Sequence, residues 1–269
     1  MEPRVIIPTG LGINSHEELA YCFRVAGAKP EFRLLNDLIE NPSLLDSCQG
    51  LGLPGGFSMG DHPFAGQSIA NRIRDSGLYE KLREKFEDQN VPIYCVCNFF
   101  QVVGKLDLSP IPVGTLQNDV GKHQTQFWDL AINPNHNSVW LTYLKKYDGP
   151  LFAPNSHGEG RVYMTEEGLD QAKMQNMIAL TYVQGAMSEF FGAVRPFSGY
   201  NPNGSVGDIA GIGWKNNLLL FPHFERLHRN VQRPDRYHVG QKKATINDRF
   251  EPTYLLFKAA VDFMRTGSS

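Results

Sequence analysis

Apolar and polar residues follow one another along the first half of the chain in a repeating order. The apolar run 5–7 leads into a glycine-containing loop, and segment 15–27 then begins with a serine, carries two glutamates in its first turn and ends at a glycine. These are the start and stop signals of a capped helix. The pattern predicts a strand followed by a helix, with Ser15 as the N-cap and Gly27 as the stop.

The same order recurs up to about residue 110. Apolar segments predict three further strands, and two segments predict helices, at 70–86 and 98–106. The predicted strands are 32–36, 50–54 and 91–97. Strands that alternate with helices at this spacing are typical of an α/β fold with an open, mostly parallel sheet.

Beyond about Leu130 the pattern changes to strands and loops with fewer helices between them, at 131–144, 149–164, 177–183 and 209–225. This change predicts a mixed sheet with some antiparallel pairs. Segment 252–267, with a proline near its start and a glycine after its end, predicts the last helix.

Size and composition indicate one globular domain, 1–269. Hydrophobic residues make up 41% of the chain and charged residues 20%, which is neither a disordered nor a fibrous composition. The formal net charge of -2 provides no broad basic field, which argues against nucleic acid as a partner. No apolar segment approaches the length of a membrane span, and the apolar start is too short for a signal peptide. We therefore expect a cytoplasmic protein that binds no membrane.

The four cysteines, at positions 22, 48, 95 and 97, are expected to be reduced thiols, because the chain has no secretion signal. The close pair is C-x-C rather than C-x-x-C, and no second pair or H-x3-H partner accompanies it. No metal site is expected.

Chemistry in an open α/β sheet sits at the carboxyl ends of the strands. Four polar motifs follow apolar runs and are therefore candidates: PGGFSMGDH, CVCNFFQ, APNSHGEGR and LLLFPHFER. In the second of them, Cys97 lies where a strand-like run meets a helix-like segment. A cysteine at such a turn is a candidate nucleophile, since the start of a helix favours the thiolate. Cys95 is expected to share its face of the strand but to lie deeper. A lone cysteine at a strand end is more often a core residue.

A cysteine nucleophile needs a histidine that exchanges protons and an acid that orients it. His223 and Glu225 follow an apolar run and stand two positions apart, so that an extended chain points both to the same side. Attack on a carbonyl also needs donors for the oxyanion, and Gly55 and Gly56 offer unshielded main-chain N–H groups. Each motif alone has an ordinary structural explanation, but their combination favours a catalytic site.

The order of the motifs GLGLPGGFSMGD, VCNFFQ, SHGEGR, YNPNGS and PHFER resembles the glutaminase subunit of phosphoribosylformylglycinamidine synthase, a class I (triad-type) glutamine amidotransferase. The resemblance runs from about Val5 to Arg226. It implies a flavodoxin-like open, mostly parallel twisted sheet with helices on both faces. It also implies a single glutamine amidotransferase domain.

The resemblance assigns roles to individual positions. Cys97 would be the nucleophile, His223 the acid and base, and Glu225 its orienting carboxylate. The main-chain N–H groups of Gly56 and Asn98 would form the oxyanion hole. The glutamine pocket would be lined by Phe57, Gln101, His157, Gly158 and Glu159, and the loop 200–205 would lie near the same site.

The implied activity is hydrolysis of L-glutamine to glutamate and ammonia through a cysteine thioester. In the family, the ammonia passes to a separate large synthase subunit, often with a small bridging subunit, in purine biosynthesis. This chain has no G-x-x-x-x-G-K-[ST] loop, so ATP and magnesium are expected on the synthase subunit and no cofactor in this chain.

The chain departs from the family at the nucleophile. The family has G-[IV]-C-N-G-F-Q, and here Cys95 and Phe99 replace the two glycines. If the Phe99 ring opened the turn, the Asn98 N–H would miss the oxyanion. Two interpretations follow: an active glutaminase with a repacked turn, or a catalytically impaired subunit that serves as a binding or regulatory scaffold.

Other polar features have simpler interpretations. The remaining histidines are expected to be solvent-exposed or hydrogen-bonded, namely His16, His62, His123, His136, His228 and His238. The cationic segment 228–250 is expected to be a solvated loop or a surface for an acidic or ribonucleotide-binding partner.

Overall fold

A computed structural model describes residues 2–149, 151–187, 200–229, 232–233 and 250–267. Within them the strands are β1 (Arg4–Thr9), β2 (Lys29–Leu34), β3 (Gly50–Leu53), β4 (Ile93–Val96), β5 (Gly114–Leu116), β6 (Gln124–Ile132), β7 (Leu151–His157), β8 (Arg161–Tyr163), β9 (Ile178–Tyr182), β10 (Ile209–Trp214) and β11 (Asn217–Leu220). The α-helices are α1 (His16–Ala26), α2 (Leu35–Glu40), α3 (Gln67–Arg74), α4 (Leu78–Glu87), α5 (Asn98–Lys105), α6 (Glu166–Met174) and α7 (Thr253–Thr266).

Nine of the described strands form one sheet in the order β2-β1-β3-β4-β11-β10-β9-β6-β7. The five strands from β2 to β11 pair in parallel, and the pairs from β11 to β7 are antiparallel. β5 and β8 form a separate antiparallel pair. The predicted mixed sheet, parallel in the first half of the chain and antiparallel later, is therefore confirmed.

Helices cover both faces of the sheet. Alternate residues of each central strand enter different cores, so that Ile6 packs with α2 to α5 on one face while Val5 and Ile7 pack with α1 and α7 on the other. A strand buried on both faces reads as a continuous apolar run, which is the pattern of β1, β4 and β11. The predicted two-sided helix arrangement is confirmed.

The helix predicted at 70–86 is wrong in one respect, because two helices occupy this segment. α3 ends at Arg74 and α4 begins at Leu78. Between them, the hydroxyl of Ser76 donates a hydrogen bond to the Ile73 carbonyl (2.9 Å) and accepts one from the Leu78 N–H (3.3 Å). A serine that bonds to nearby main chain in this way competes with helix continuation.

The strand predicted at 32–36 is shorter than expected. β2 ends at Leu34 and the chain turns at once into α2. Leu34 is 55% exposed whereas Leu35 is 2% exposed, because Leu35 packs under the sheet as the first residue of the helix. Because a leucine stands on each side of the boundary between β2 and α2, the apolar pattern does not show where the strand ends.

Several expectations concern the chain as a whole. All four cysteines are free thiols, as predicted. None of the described helices combines the length and the apolar character that crossing a membrane requires. His238 and most of the cationic segment 228–250 lie outside the described residues. The organisation of 1–269 as a single domain remains a prediction.

Candidate active site

Cys97 occupies a sharp turn between the central strand β4 and helix α5. Its φ of 51° and ψ of -104° lie outside the ranges of ordinary strands and helices. Its main-chain N–H donates a 2.8 Å hydrogen bond to the Leu220 carbonyl of β11, which anchors the turn to the sheet. A positive φ in a residue other than glycine costs roughly 1–3 kcal/mol and persists only where its surroundings enforce it. The turn therefore keeps a strained nucleophile conformation without the two flanking glycines.

Cys95 and Cys97 point into different surroundings. Cys95 is completely buried in the core beneath α2 to α5, and this burial raises the pKa of its thiol well above the ordinary value. Cys97 borders the opposite core and lines an open cavity. The expectation that the two share one face is wrong, because the positive φ turns the Cys97 side chain out of the strand alternation.

Phe99 takes a place that leaves the cavity beside Cys97 free. Its ring is 1% exposed and packs in the core with Leu53 and Ile73, on the side of α5 that faces the sheet and α3. It does not line the cavity that contains Cys97. The replacement of glycine is accommodated by the core, and the turn stays closed.

Phe99→Ala is expected to destabilise the fold by about 3–5 kcal/mol, because it empties a closely packed site. The matched control is Phe64→Ala, whose ring is 58% exposed and whose loss is expected to cost under about 0.5 kcal/mol. Urea unfolding of both variants measures the difference. Equal midpoints for the two would show that the Phe99 ring is not part of the core.

His223 and Glu225 follow β11 and form a buried pair. The His223 Nδ1 lies 2.6 Å from Glu225 Oε1, and the other carboxylate oxygen accepts a 3.0 Å hydrogen bond from the Tyr94 hydroxyl. The two side chains are 2% and 0% exposed. The His223 N–H donates to the Pro154 carbonyl of β7 at 2.7 Å. The carboxylate thus fixes the ring and is itself held by a tyrosine of β4.

The other ring nitrogen of His223 faces the nucleophile. Burial alone lowers the pKa of His223, but the charge of Glu225, together with hydrogen bonding to Cys97 and Glu225, outweighs it and raises the pKa to about 9. His223 Nε2 is buried and has no well-aligned hydrogen-bond partner among the described residues. At neutral pH the ring therefore holds a proton that it can give to a group bound at Cys97.

One of the two predicted glycine donors is already occupied. The Gly55 N–H donates a 2.7 Å hydrogen bond to the Ser15 hydroxyl, which consequently does not cap α1 with its side chain. For the N–H groups of Gly56 and Asn98, the described part of the chain contains no acceptor. Gly56 also lines the cavity beside Cys97, and Asn98 is the next residue after Cys97. These two N–H groups remain the predicted oxyanion donors.

Gly55→Ala is expected to lower the activity of this site about 100-fold by displacing the His223 ring. A methyl group at this position would lie 2.7 Å from His223 Cε1 and 3.4 Å from Cys97 Cβ, closer to the ring than atoms pack. Gly77→Ala is the control, since its methyl group would meet only Pro42 at 3.6 Å. Steady-state kinetics with folded variants would contradict this prediction if both retained full activity.

The cavity beside Cys97 brings together the residues predicted to line a glutamine pocket. It is lined by Gly56, Phe57, Asp61, Ala65, Cys97, Gln101, His123, Ser156, His157, Gly158 and Glu159. Every residue predicted to line a glutamine pocket is in this set. Asp61, Ala65, His123 and Ser156 were not predicted. Asp61 and Ser156 stand in or beside the quoted motifs, but nothing in the sequence indicates His123, which lies 5.7 Å from the Phe57 ring.

Main-chain and side-chain hydrogen bonds hold the far wall of the cavity. Asn118 Oδ1 lies 3.0 Å from His157 Nδ1 and accepts a 3.1 Å hydrogen bond from the Gly160 N–H. Asn203 Nδ2 donates to the Gly160 carbonyl at 2.6 Å. A side chain on Gly160 would overlap the His157 ring. The loop 200–205 thus supports the SHGEGR segment and lies near the site, as predicted.

No group of three or more His, Cys, Asp or Glu side chains in the described ranges is arranged to hold a metal ion. The remaining histidines that can be described include His136, which is 2% exposed, and His228, whose Nδ1 lies 3.1 Å from the Glu225 carbonyl.

Comparison with known proteins relates this geometry to a family. Residues 2–264 match the CobB/CobQ-like glutamine amidotransferase domain. Subunit PurQ of phosphoribosylformylglycinamidine synthase from Methanococcus maripaludis is 31% identical over 275 residues, 97% of each chain. The PurQ subunit from Dehalococcoides mccartyi is 31% identical over 231 residues, 83% of this chain and 85% of that protein. A chain in the structure of PurLQS from Thermotoga maritima has the same fold, with a TM-score of 0.70 and 22% identity over 98% of this chain and 99% of that one.

The chain therefore belongs to the glutamine amidotransferase family. Within that family its relatives are the PurQ subunits of phosphoribosylformylglycinamidine synthase, and the resemblance inferred from the motifs is confirmed.

Proposed function

We propose that this chain hydrolyses L-glutamine to glutamate and ammonia and supplies the ammonia to the synthase subunit of phosphoribosylformylglycinamidine synthase in de novo purine biosynthesis. The observation that carries this proposal is the arrangement of Cys97, His223 and Glu225. The thiol lies at a strained strand-to-helix turn, the ring faces it, and a buried carboxylate orients the ring. A cavity opens beside the thiol.

The reaction proceeds in two steps, formation of a thioester on Cys97 and its hydrolysis. The Cys97 thiolate attacks the amide carbon, and the Gly56 and Asn98 N–H groups stabilise the oxyanion. His223 Nε2 gives its proton to the departing ammonia, leaving a thioester on Cys97. His223 then takes a proton from water, the water oxygen attacks the thioester, and glutamate leaves. This restores the thiolate and the protonated ring.

The partner follows from the family. Relatives of this chain are named as subunits of phosphoribosylformylglycinamidine synthase, and the structure from Thermotoga maritima is a PurLQS assembly. We expect the large synthase subunit, with or without a small bridging subunit, to receive the ammonia. We also expect ATP and magnesium on that subunit, no cofactor in this chain, and a cytoplasmic location.

The impaired-scaffold interpretation required an open turn or a phenylalanine ring in the substrate space. The described residues contain neither feature, since Cys97 keeps its positive φ and Phe99 lies in the core. The active enzyme is therefore the function that the geometry supports.

Isotope transfer tests the proposal. The chain is mixed with its synthase subunit, formylglycinamide ribonucleotide, ATP and glutamine labelled with ¹⁵N in the amide, in the presence of unlabelled ammonium. We expect the amidine product to carry ¹⁵N and glutamate to form in equal amount. Product that contains only unlabelled nitrogen, or no glutamate, would contradict the proposal.

A further inference from the structure

Three hydrogen bonds fix the side chain of Asn98 behind the wall of the cavity beside Cys97. Its Oδ1 accepts a hydrogen bond from the Ser58 hydroxyl, and its Nδ2 donates to Asp61 Oδ1 at 3.2 Å and to Gln101 Oε1 at 2.9 Å. Asn98 and Ser58 are each 1% exposed, and the lining of the cavity includes neither of them. A buried carboxamide held in this way cannot rotate without leaving polar atoms unpaired.

The same hydrogen bonds connect parts of the chain that are distant in sequence. Gln101 is 3% exposed, and its Nε2 donates to the Glu159 carbonyl at 2.8 Å. The bonds therefore run from the loop after β3, through the start of α5, to the turn between β7 and β8. We call Ser58, Asn98 and Gln101 the carboxamide network.

The network joins the two segments that carry the predicted oxyanion donors. Ser58 lies two residues after Gly56, and the neighbouring Met59 N–H donates to the Leu11 carbonyl at 2.9 Å, which holds this loop to the segment after β1. The Ser58 hydroxyl ties the loop to Asn98, which carries the second donor. The position of one donor segment is thus linked to the position of the other.

We propose that Ser58 is a positioning residue for the oxyanion hole. Its hydroxyl fixes the Asn98 side chain and thereby holds the main-chain N–H groups of Gly56 and Asn98 in place relative to each other. Donors that are fixed beforehand need no rearrangement when the negative charge develops, which is the condition for effective stabilisation. The inference rests on the proposed function, because it takes Cys97 as the attacking group.

The carboxamide network could instead serve only the stability of the fold or the shape of the turn at Cys97. Such a role would slow every reaction of the thiol equally. Positioning of the oxyanion donors slows only reactions that pass through an oxyanion. Acylation by an ester passes through an oxyanion and alkylation by a haloacetamide does not, so two reagents for the same thiol separate the roles.

The test measures both reactions of Cys97 on the full chain. With p-nitrophenyl acetate, a bond forms between the sulfur and the carbonyl carbon, the bond from that carbon to the aryl oxygen breaks, and p-nitrophenolate leaves, which absorbance records. With iodoacetamide, the sulfur displaces iodide, and mass spectrometry records the alkylated chain. The rates measured in Cys97→Ala are subtracted as background.

Three variants interrupt the network: Ser58→Ala, Asn98→Ala and the two combined. Asn98→Ala keeps the main-chain N–H but removes the side chain that Ser58 holds. Ser43→Ala is the matched control, because its hydroxyl is exposed and also donates to an asparagine oxygen, Asn41 Oδ1, at 2.6 Å.

We expect Ser58→Ala to slow acylation about 10- to 100-fold, since a displaced donor costs less than the roughly 100- to 1000-fold of a lost one. Alkylation should change less than about two-fold. Asn98→Ala should slow acylation at least as much, and adding Ser58→Ala to it should cause a further change of less than about two-fold, because Ser58 acts through Asn98. Ser43→Ala should change neither rate.

Equal slowing of both reactions in Ser58→Ala, or acylation within two-fold of the wild type, would overturn the inference. Multiplied losses in the double variant would also overturn it. If Ser58→Ala does not fold, Asn98→Ala decides the question by the same comparison, since parallel losses of acylation and alkylation in that variant would contradict a role at the oxyanion.

Glutamate release in the presence of the synthase subunit distinguishes this inference from the proposed function. Selective slowing of acylation in Ser58→Ala, with no glutamate released by the wild-type chain, would leave the positioning role standing and remove the glutaminase proposal. A wild-type chain that hydrolyses glutamine, with acylation unchanged in Ser58→Ala, would do the reverse.

Discussion

Cys97→Ala is expected to abolish glutamine hydrolysis, with a loss of about a million-fold, because Cys97 is the only described residue lining the cavity that carries a thiol. A glutamine-analogue electrophile such as a diazoketone should label the wild-type chain once, at Cys97. The alanine variant should not be labelled. Mass spectrometry of the labelled peptide and glutamate release in the presence of the synthase subunit measure the two effects.

Cys95→Ala is the matched control for this prediction. The Cys95 thiol is fully buried in the opposite core, and burial holds its pKa high, so it is neither exposed nor ionised. The control variant should retain labelling and nearly all activity. Labelling at Cys95, or activity that survives in Cys97→Ala, would refute the assignment of the nucleophile.

Glu225→Gln is expected to lower kcat about 1000- to 10,000-fold while the fold is retained. The carboxylate accepts a hydrogen bond from His223 Nδ1, with 2.6 Å between the nitrogen and the oxygen. An amide in its place can present an N–H group to the ring instead. The ring would then turn or adopt the wrong tautomer. Steady-state kinetics give kcat, and circular dichroism establishes that the variant is folded.

Tyr94→Phe is the graded control for Glu225→Gln. It removes the 3.0 Å hydrogen bond to the second carboxylate oxygen but leaves the charge beside His223. We expect a stability loss of about 1.5–3 kcal/mol, typical of a hydrogen bond to a charged group, with a much smaller loss of kcat. Equal losses of kcat in the two variants would contradict a role of the carboxylate charge beyond the hydrogen bond from Tyr94.

The stability of the fold should also depend on pH through this pair. Because the pKa of His223 is raised from 6.5 to about 9 in the folded chain, the folded state binds more protons than the unfolded state between these values. The contribution of His223 to the free energy of unfolding should therefore be complete below about pH 6.5. It should decline as the pH rises toward 9. In Glu225→Gln the decline in this window should flatten. Urea unfolding at several pH values measures both slopes, and an identical slope in the variant would contradict the role of the carboxylate.

Local signals were sufficient for the main strands and for the choice of candidate catalytic residues. β1, β4 and β11 are buried on both faces of the sheet and are therefore continuous apolar runs. Such runs can be recognised as strands without knowing which strands lie beside them. Cys97 and His223 each follow an apolar run, and chemistry in an open α/β sheet sits at the carboxyl ends of the strands, so both were candidates for one site. The parallel pairing of β4 and β11 then places the ends of these two strands side by side.

Long-range packing decided the features that the sequence did not indicate. β7 lies at the far edge of the strand order, yet its end reaches the site, where the Ser156 carbonyl lies 3.7 Å from Cys97 Sγ. The expectation that Gly55 donates to the oxyanion was wrong, because the Gly55 N–H already donates a hydrogen bond to the hydroxyl of Ser15, forty residues earlier. Contacts between residues distant in the chain leave no periodic signal.

By itself, the amino-acid sequence indicated the alternation of strands and helices in the first half of the chain, the family, and Cys97, His223 and Glu225 as candidate catalytic residues, because each of these depends on short-range patterns and on residue chemistry. Only the tertiary structure decided that the Phe99 ring enters the core and that Asp61 meets Glu159 beside the nucleophile. Both outcomes depend on which surfaces pack together and which space is left unfilled, and these are properties of the whole fold rather than of any segment.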